Sequence, residues 1–232
     1  MKLTPKHKRQ PHVAADLDTP SGRKRAWREL VLEDHGFLRE SFQNLHQIGP
    51  GIWRSNQPNP DQIADHARIR GVRTIINLRG ESTKGYYLLE REACRRAGVH
   101  LVDFRLFSRD TPSKEVIFGA RDLFRSIEYP ALMHCKSGAD RAGLMAALYC
   151  IFQLEQPVTL AARQLSKKYL HLREGKTGLL DAFFEAYLHD SGNTTVSFSD
   201  WVEGQYDPAA VKHAFLRSGR GRLRLDQWLR RE

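Results

Sequence analysis

The run His134-Cys-Lys-Ser-Gly-Ala-Asp-Arg-Ala-Gly143 concentrates the chemistry of this chain. Cys135 offers a thiol, and Arg141 offers a planar fork that can grip two oxygens of one anion. A short apolar stretch, Ala131-Leu-Met-His134, precedes the cysteine and predicts a buried strand. Leu144 to Phe152 is apolar all round and predicts a central buried helix. The loop between them opens a helix near Arg141, so unpaired N–H groups and a positive dipole end face the cysteine. A thiol placed there is expected to be acidified. The loop amides of Lys136, Ser137, Gly138, Ala139, Asp140 and Arg141 form an anion cradle suited to phosphate. Gly138 permits the tight turn this requires.

Competing readings explain less. An inert core cysteine would leave Gly138, Arg141 and Gly143 without a reason. A zinc site would need partners for His134 and Cys135, and no Cys-x-x-Cys or paired His pattern supplies them. A nucleotide P-loop ending at Gly175-Lys-Thr177 fails, because Leu170 stands where its first glycine belongs.

The elements around the run alternate. Leu45 to Ile48 and Ile52 to Arg54 read as strands around Gly49-Pro50-Gly51. Pro60 to Ile69 reads as a helix stopped by Gly71, and Val72 to Leu78 as a buried strand. Tyr86 to Ala97 is helical with Gly98 as its stop, Val99 to Leu106 is a strand, and Glu115 to Ile127 is an amphipathic helix. Upstream, Trp27, Leu30, Val31 and Leu38 recur at helical spacing, predicting a helix over 25–38. This alternation predicts an α/β domain with a largely parallel central sheet flanked by helices. Residues 1–20 read as a flexible basic arm, 21–190 as the catalytic domain, and 191–232 as an extension packed on its core.

The chain has 232 residues, 41% of them hydrophobic, and a formal net charge of +10. That excess suits an anionic partner. Its three cysteines are too few and too uneven for a disulfide framework, which points to a reducing, cytoplasmic setting. The charged N-terminus lacks the apolar stretch of a signal peptide, and the longest apolar run is too short to span a bilayer. Asn193-Thr-Thr195 matches a glycosylation sequon that carries little meaning in that setting. Leu225, Trp228 and Leu229 fall on one helical side among arginines, a pattern that can lie on an anionic membrane or dock on the domain. No basic motif is interleaved with aromatic residues, which argues against nucleic acid. The oligomeric state is left open.

His-Cys-x5-Arg-x-Gly resembles the signature of the protein-tyrosine phosphatase superfamily. Ile52-Trp-Arg-Ser-Asn-Gln-Pro58 is similar to a segment of compact bacterial and fungal dual-specificity phosphatases. The likeness covers roughly residues 45–190 and implies a dual-specificity-phosphatase-like fold with a helical C-terminal extension. It implies that Cys135 attacks phosphorus and becomes a phosphocysteine. Arg141 would bind the phosphoryl oxygens and His134 would tune the thiolate. An aspartate would protonate the leaving oxygen and later activate water. No metal or cofactor is implied, since amides and Arg141 supply the positive charge.

Two positions depart from the pattern. Ala142 stands where a Ser or Thr hydroxyl helps the thiolate leave. The acid has three candidates: Asp103 in a predicted strand, Asp110 on a loop, and Asp140 inside the signature. Asp110 is the first choice, with Asp140 close behind; Asp140 can instead cap the helix beginning at Arg141. The expected substrate is a phosphorylated protein or an anionic phosphorylated small molecule, such as a lipid headgroup, lipid A or a sugar phosphate. A phosphate-binding pseudophosphatase with negligible turnover is the rival.

Overall fold

The computed structural model describes residues 14–192 and 196–220. Helix α1 (Pro20–Arg28) has Thr19 as its cap and Pro20 at its first position. After the four-residue α2 (Leu38–Ser41), β1 (His46–Gly49) and β2 (Ile52–Asn56) form a hairpin. The α/β units follow: α3 (Pro60–Arg70), β3 (Thr74–Asn77), α4 (Gly85–Ala97), β4 (His100–Asp103), α5 (Lys114–Ser126), β5 (Ala131–Cys135) and α6 (Asp140–Phe152). Helices α7 (Val158–Ala161), α8 (Leu179–Ser191), α9 (Phe198–Gly204) and α10 (Pro208–Arg217) complete the described chain.

The five strands lie in the order β1-β2-β5-β3-β4, antiparallel only between β1 and β2. Strand β5 is central and all five of its residues are buried. That burial on both faces is why its sequence is an apolar run with no alternation. Its register places Cys135 opposite Asn56 and His134 opposite Asn77, at the carboxyl ends of three parallel strands. Ligands of open α/β sheets bind in that crevice. Every residue of α6 from Ala142 to Cys150 is buried, because the helix runs between the sheet and the C-terminal helices.

Two sequence expectations shift. The helix expected over 25–38 breaks at Asp34. Positive φ at His35 and the Gly36 N–H bonded to Leu30 O reverse the chain there, and Leu38 starts a separate turn. Asp34 leaves the helical path because its carboxylate is drawn inward: Arg39 and Arg79 each reach it at 2.8 Å, and Lys136 at 3.5 Å. The strand expected over 99–106 is assigned only to 100–103, although Phe104 and Leu106 keep bonding to Asn77 and Leu78.

The Asp34 cluster sets a stability test. Asp34→Asn leaves two largely buried guanidinium groups facing each other, and breaking such a pair costs about 3–5 kcal/mol. Urea unfolding is expected to show a loss of that order; an unchanged midpoint would refute the cluster as a structural anchor.

Past residue 191, Phe198, Trp201 and Tyr206 bury against Phe183 and Phe184 of α8. Tyr206 donates to Pro112 O at 2.8 Å, and Thr111 Oγ1 to Pro208 O at 3.0 Å, so this segment holds the loop after β4. At the other end Ala15 and Leu17 pack with Tyr87, Leu88 and Leu89. The first thirteen residues of the expected arm, the sequon and the amphipathic Arg222–Arg231 run lie outside the described residues.

Candidate active site

Strand β5 delivers Cys135 buried at the sheet's end, and α6 begins five residues later with Ala139 as its N-cap. Among the described residues no side chain caps this helix start. Asp140, expected as a possible cap, occupies the first helical position and bonds elsewhere. Gly138 takes φ 75°, and a Cβ there would stand 2.7 Å from the Asn56 nitrogen, so the loop presses against β2.

The loop's carbonyls are held from outside. Lys136 O accepts from Gln57 N (3.5 Å) and Ser137 O from Asn44 Nδ2 (3.0 Å). Gly138 O and Ala139 O both accept from Arg54 Nη2, at 2.7 and 2.9 Å. In a planar trans peptide the C=O and the following N–H point oppositely. The amides of Ser137, Gly138, Ala139 and Asp140 therefore face away from these anchors; Ala139 N also reaches Ser137 Oγ at 3.4 Å. Amides grouped in this way beside a thiol are the kind of arrangement that can receive an anion.

Cations around the loop divide by commitment. Arg39 and Arg79 are bound to Asp34, and Arg79 also stacks over Tyr86 and donates to Gln57. Arg54 is engaged four times. Lys136 reaches Asp34. The Arg141 side chain, half-buried in the first turn of α6, has no hydrogen bond or ion pair among the described residues. Of these five cations it is the one whose side chain is uncommitted.

A buried polar chain brackets the cysteine. His134 Nε2 stands 2.5 Å from Glu90 Oε1; Glu90 Oε2 accepts from Gln57; Gln57 meets Arg79, and Arg79 meets Asp34. Burial alone would raise the Asp34 carboxyl, but Arg79, Arg39 and Lys136 outweigh it and hold it below the usual range. The chain runs from His134, which touches Glu90 without a hydrogen bond, to Lys136 on the far side of Cys135.

The three aspartates have different fates. Asp103 lies in β4, with its oxygens accepting from Asn77 Nδ2 (2.7 Å) and Tyr87 OH (2.6 Å). Asp110 lies on the loop after β4, with Oδ1 bonded to Lys212 of α10 at 2.9 Å and to its neighbour's N–H. The Lys212 bond holds its carboxyl below the ordinary value. Asp140 Oδ1 is 2.7 Å from His171 Nδ1, and His171 Nε2 is 2.7 Å from Asp181 Oδ2.

His171 is 1% exposed, and burial would lower its pKa, but the two carboxylates outweigh burial and raise it to about 9. A folded pKa above the unfolded value of about 6.5 gives stability that is complete below that value and lost as pH rises through about 9. The loss is expected to be on the order of 2–3 kcal/mol. Denaturant midpoints between pH 6.5 and 9.5 should fall for the native chain and stay flatter for His171→Asn. Parallel curves would contradict the bridge.

Sequence reasoning missed Asp34, Glu90, His171 and Asp181. For Arg54 the sequence holds one signal: it is a charged residue two positions from Ile52, on the same strand face.

Residues 47–178 match the model of a family described as DSP-PTPase phosphatase fused to NAD+ kinase. Dual specificity protein phosphatase TpbA of Pseudomonas aeruginosa (strain UCBPP-PA14) is 28% identical over 135 residues, 58% of this chain and 55% of TpbA. The chain thus spans about half the length of the curated relatives it matches. Among solved structures, P. aeruginosa TpbA superposes with a TM-score of 0.52 at 20% identity, covering 76% of this chain and 93% of that one. Tk-PTP in its active form gives 0.50 at 15% identity, covering 62% and 98%. These likenesses establish the expected fold, a mostly parallel sheet between helices. No described helix is long and apolar enough to cross a membrane.

Proposed function

The chain belongs to the DSP-PTPase family whose description includes fusion to NAD+ kinase, and from that premise we propose that it hydrolyses phosphomonoesters through a phosphocysteine. The carrying observation is the pairing of Cys135 with outward-held loop carbonyls and an uncommitted Arg141. The phosphoryl oxygens sit on the loop amides and Arg141. Cys135 Sγ attacks phosphorus, the phosphorus–oxygen bond to the alcohol or phenol breaks, and an acid protonates the leaving oxygen. Water then attacks phosphorus, its proton passes to the same carboxylate, and the thiolate leaves with phosphate released.

Relative strengths of two ion pairs choose the acid. The Asp110–Lys212 pair is exposed on both sides, 48% and 43%, and such pairs contribute about 0–1 kcal/mol. The pair costs little to release, which frees the carboxylate to carry the proton a general acid must deliver, while the Tyr206–Pro112 and Thr111–Pro208 bonds keep the loop itself in place. Asp140 is fixed to a buried imidazole, and breaking that bridge costs more. Asp110 is therefore the proposed acid and Asp140 the anchor. His134 acts through its Glu90 contact, holding the strand end that presents the thiol. The proposed substrates are phosphorylated proteins, with lipid or sugar phosphates as the alternative.

Turnover of an aryl phosphate with an acidic leaving group, beside that of an alkyl phosphate, tests the proposal. Wild type is expected to hydrolyse both; binding without turnover of either would make it a pseudophosphatase. Asp110→Asn is expected to lose about 10²–10⁴-fold on the alkyl ester and little on the aryl ester. If Asp140→Asn alone shows that dependence, the acid assignment is wrong. Ala142 is fully buried and brings no hydroxyl to the departing thiolate. Aryl phosphate turnover should therefore show a product burst before a slower steady rate.

A further inference from the structure

The second motif of the sequence, Ile52 to Pro58, runs through β2 alongside the strand that carries the cysteine. Its one charged residue, Arg54, is fully buried. Burying a guanidinium is costly unless its donors are matched, and here the match is specific. Nη2 spans two consecutive loop carbonyls, Gly138 O and Ala139 O. Nη1 takes Gln164 O at 2.7 Å and Gln164 Oε1 at 2.9 Å. The plane lies over the Tyr169 ring, 4.2 Å from its centre. Burial draws its pKa down to about 10, which still leaves it charged at neutral pH. The bond-making and bond-breaking steps themselves do not call on this residue.

We propose that Arg54 is the positioning residue of the phosphate cradle: it fixes the Gly138 and Ala139 carbonyls outward, aims the Ala139 and Asp140 amides at the ligand, and places a second fixed positive charge behind it. The proposal rests on the phosphatase reading for its ligand. Its geometry rests on bonds to the loop's own backbone. Two features make the fork irreplaceable. One nitrogen bridges two carbonyls that are one residue apart, and the other pins the same plane to the segment before Leu165. A lysine has a single nitrogen and cannot do both. Among the described residues Arg54 is the anchor of Gly138 O, whereas Ala139 O also accepts the Gly143 N–H at 2.9 Å. A Cβ on Gly143 would stand 3.3 Å from Arg54 Nη2, so the helix passes the guanidinium at contact distance. Asn44 complements Arg54 from the other side, joining Ser137 O to Tyr169 O, so the ring that supports Arg54 is itself tied to the loop.

The test needs no turnover. Cys135 is alkylated with iodoacetate, an anion, and with neutral iodoacetamide, in the wild type, Arg54→Lys and Arg54→Met. Cys94 and Cys150 are replaced by serine in all three proteins so that one thiol reports. A formed cradle favours the anionic reagent. The wild type is expected to react faster with iodoacetate, Arg54→Met to lose that preference, and Arg54→Lys to fall between, since it restores charge without the bidentate grip. On aryl phosphate, kcat is expected to fall about 10²–10³-fold in Arg54→Met, as for loss of aligned transition-state donors. Should Arg54→Met fail to fold, Gln164→Ala takes its place. It removes one anchor of the guanidinium and is expected to weaken the preference partly.

An unchanged reagent preference in folded Arg54→Met overturns the proposal. So does an equal slowing with both reagents, which marks a structural role without cradle orientation. If no protein in the series hydrolyses phosphate esters while the preference still follows Arg54, the phosphatase reading fails and the positioning role stands.

Discussion

Cys135→Ser is expected to leave a folded protein that still binds oxyanions and turns over no phosphate ester, a loss on the order of 10⁶-fold, the scale of removing a nucleophile. A hydroxyl is a far weaker nucleophile than a thiolate at neutral pH. The side chain's small volume change keeps the core intact: Cys135 belongs to the same buried cluster as Met133, Ala142 and Ile76, and serine is close to cysteine in size. The cradle is built from backbone amides and survives the substitution. Inorganic phosphate or vanadate should therefore still raise the melting temperature of Cys135→Ser. Loss of both binding and turnover would mean that the loop itself had rearranged. Retained turnover would place the chemistry elsewhere.

The second large effect is at Arg141. Arg141→Lys is expected to lower kcat by about 10²–10³-fold, because an ammonium cannot hold two phosphoryl oxygens in the plane that a guanidinium can. The change should cost kcat more than KM, since the grip tightens as the phosphoryl group flattens in the transition state. Stability should barely change, because the Arg141 side chain makes no hydrogen bond or ion pair among the described residues. Arg39, Arg54 and Arg79 differ in that respect. Each is bound to protein groups, so its loss should lower stability and activity together. Steady-state kinetics beside thermal melts will separate the two classes. A folded Arg141→Lys with near-wild-type kcat would remove Arg141 from the clamp role.

The parts of this arrangement that were legible in the sequence are the local ones. A thiol, a tight-turning glycine and an arginine within one loop, bounded by an apolar strand and an apolar helix, are close in the chain and hence close in space. Helix ends were legible for the same reason: Gly71 and Gly98 take φ 63° and 65° as the stops of α3 and α4. What was not legible depends on pairings distant in the chain. Asp34 falls on the apolar stripe of the expected helix, four positions from both Leu30 and Leu38, but its partner Arg79 is forty-five positions away and is brought to it only by folding. His171 lies between a lysine-rich turn and an exposed loop, and its two carboxylates come from separate helices. Arg54 carried a signal in its strand position, but its partners, the loop carbonyls, have no side-chain identity that a sequence could display.

The central claim is that phosphorus is bonded to Cys135 during turnover. Rapid acid quench of wild type with an aryl phosphate, followed by peptide mass mapping, tests it directly. The peptide containing Cys135 is expected to carry one phosphoryl group during the burst, while the same peptide from Cys135→Ser carries none. Hydrolysis of the ester with no phosphoryl group on Cys135 at any quench time, or phosphorylation of a different residue, would contradict the account.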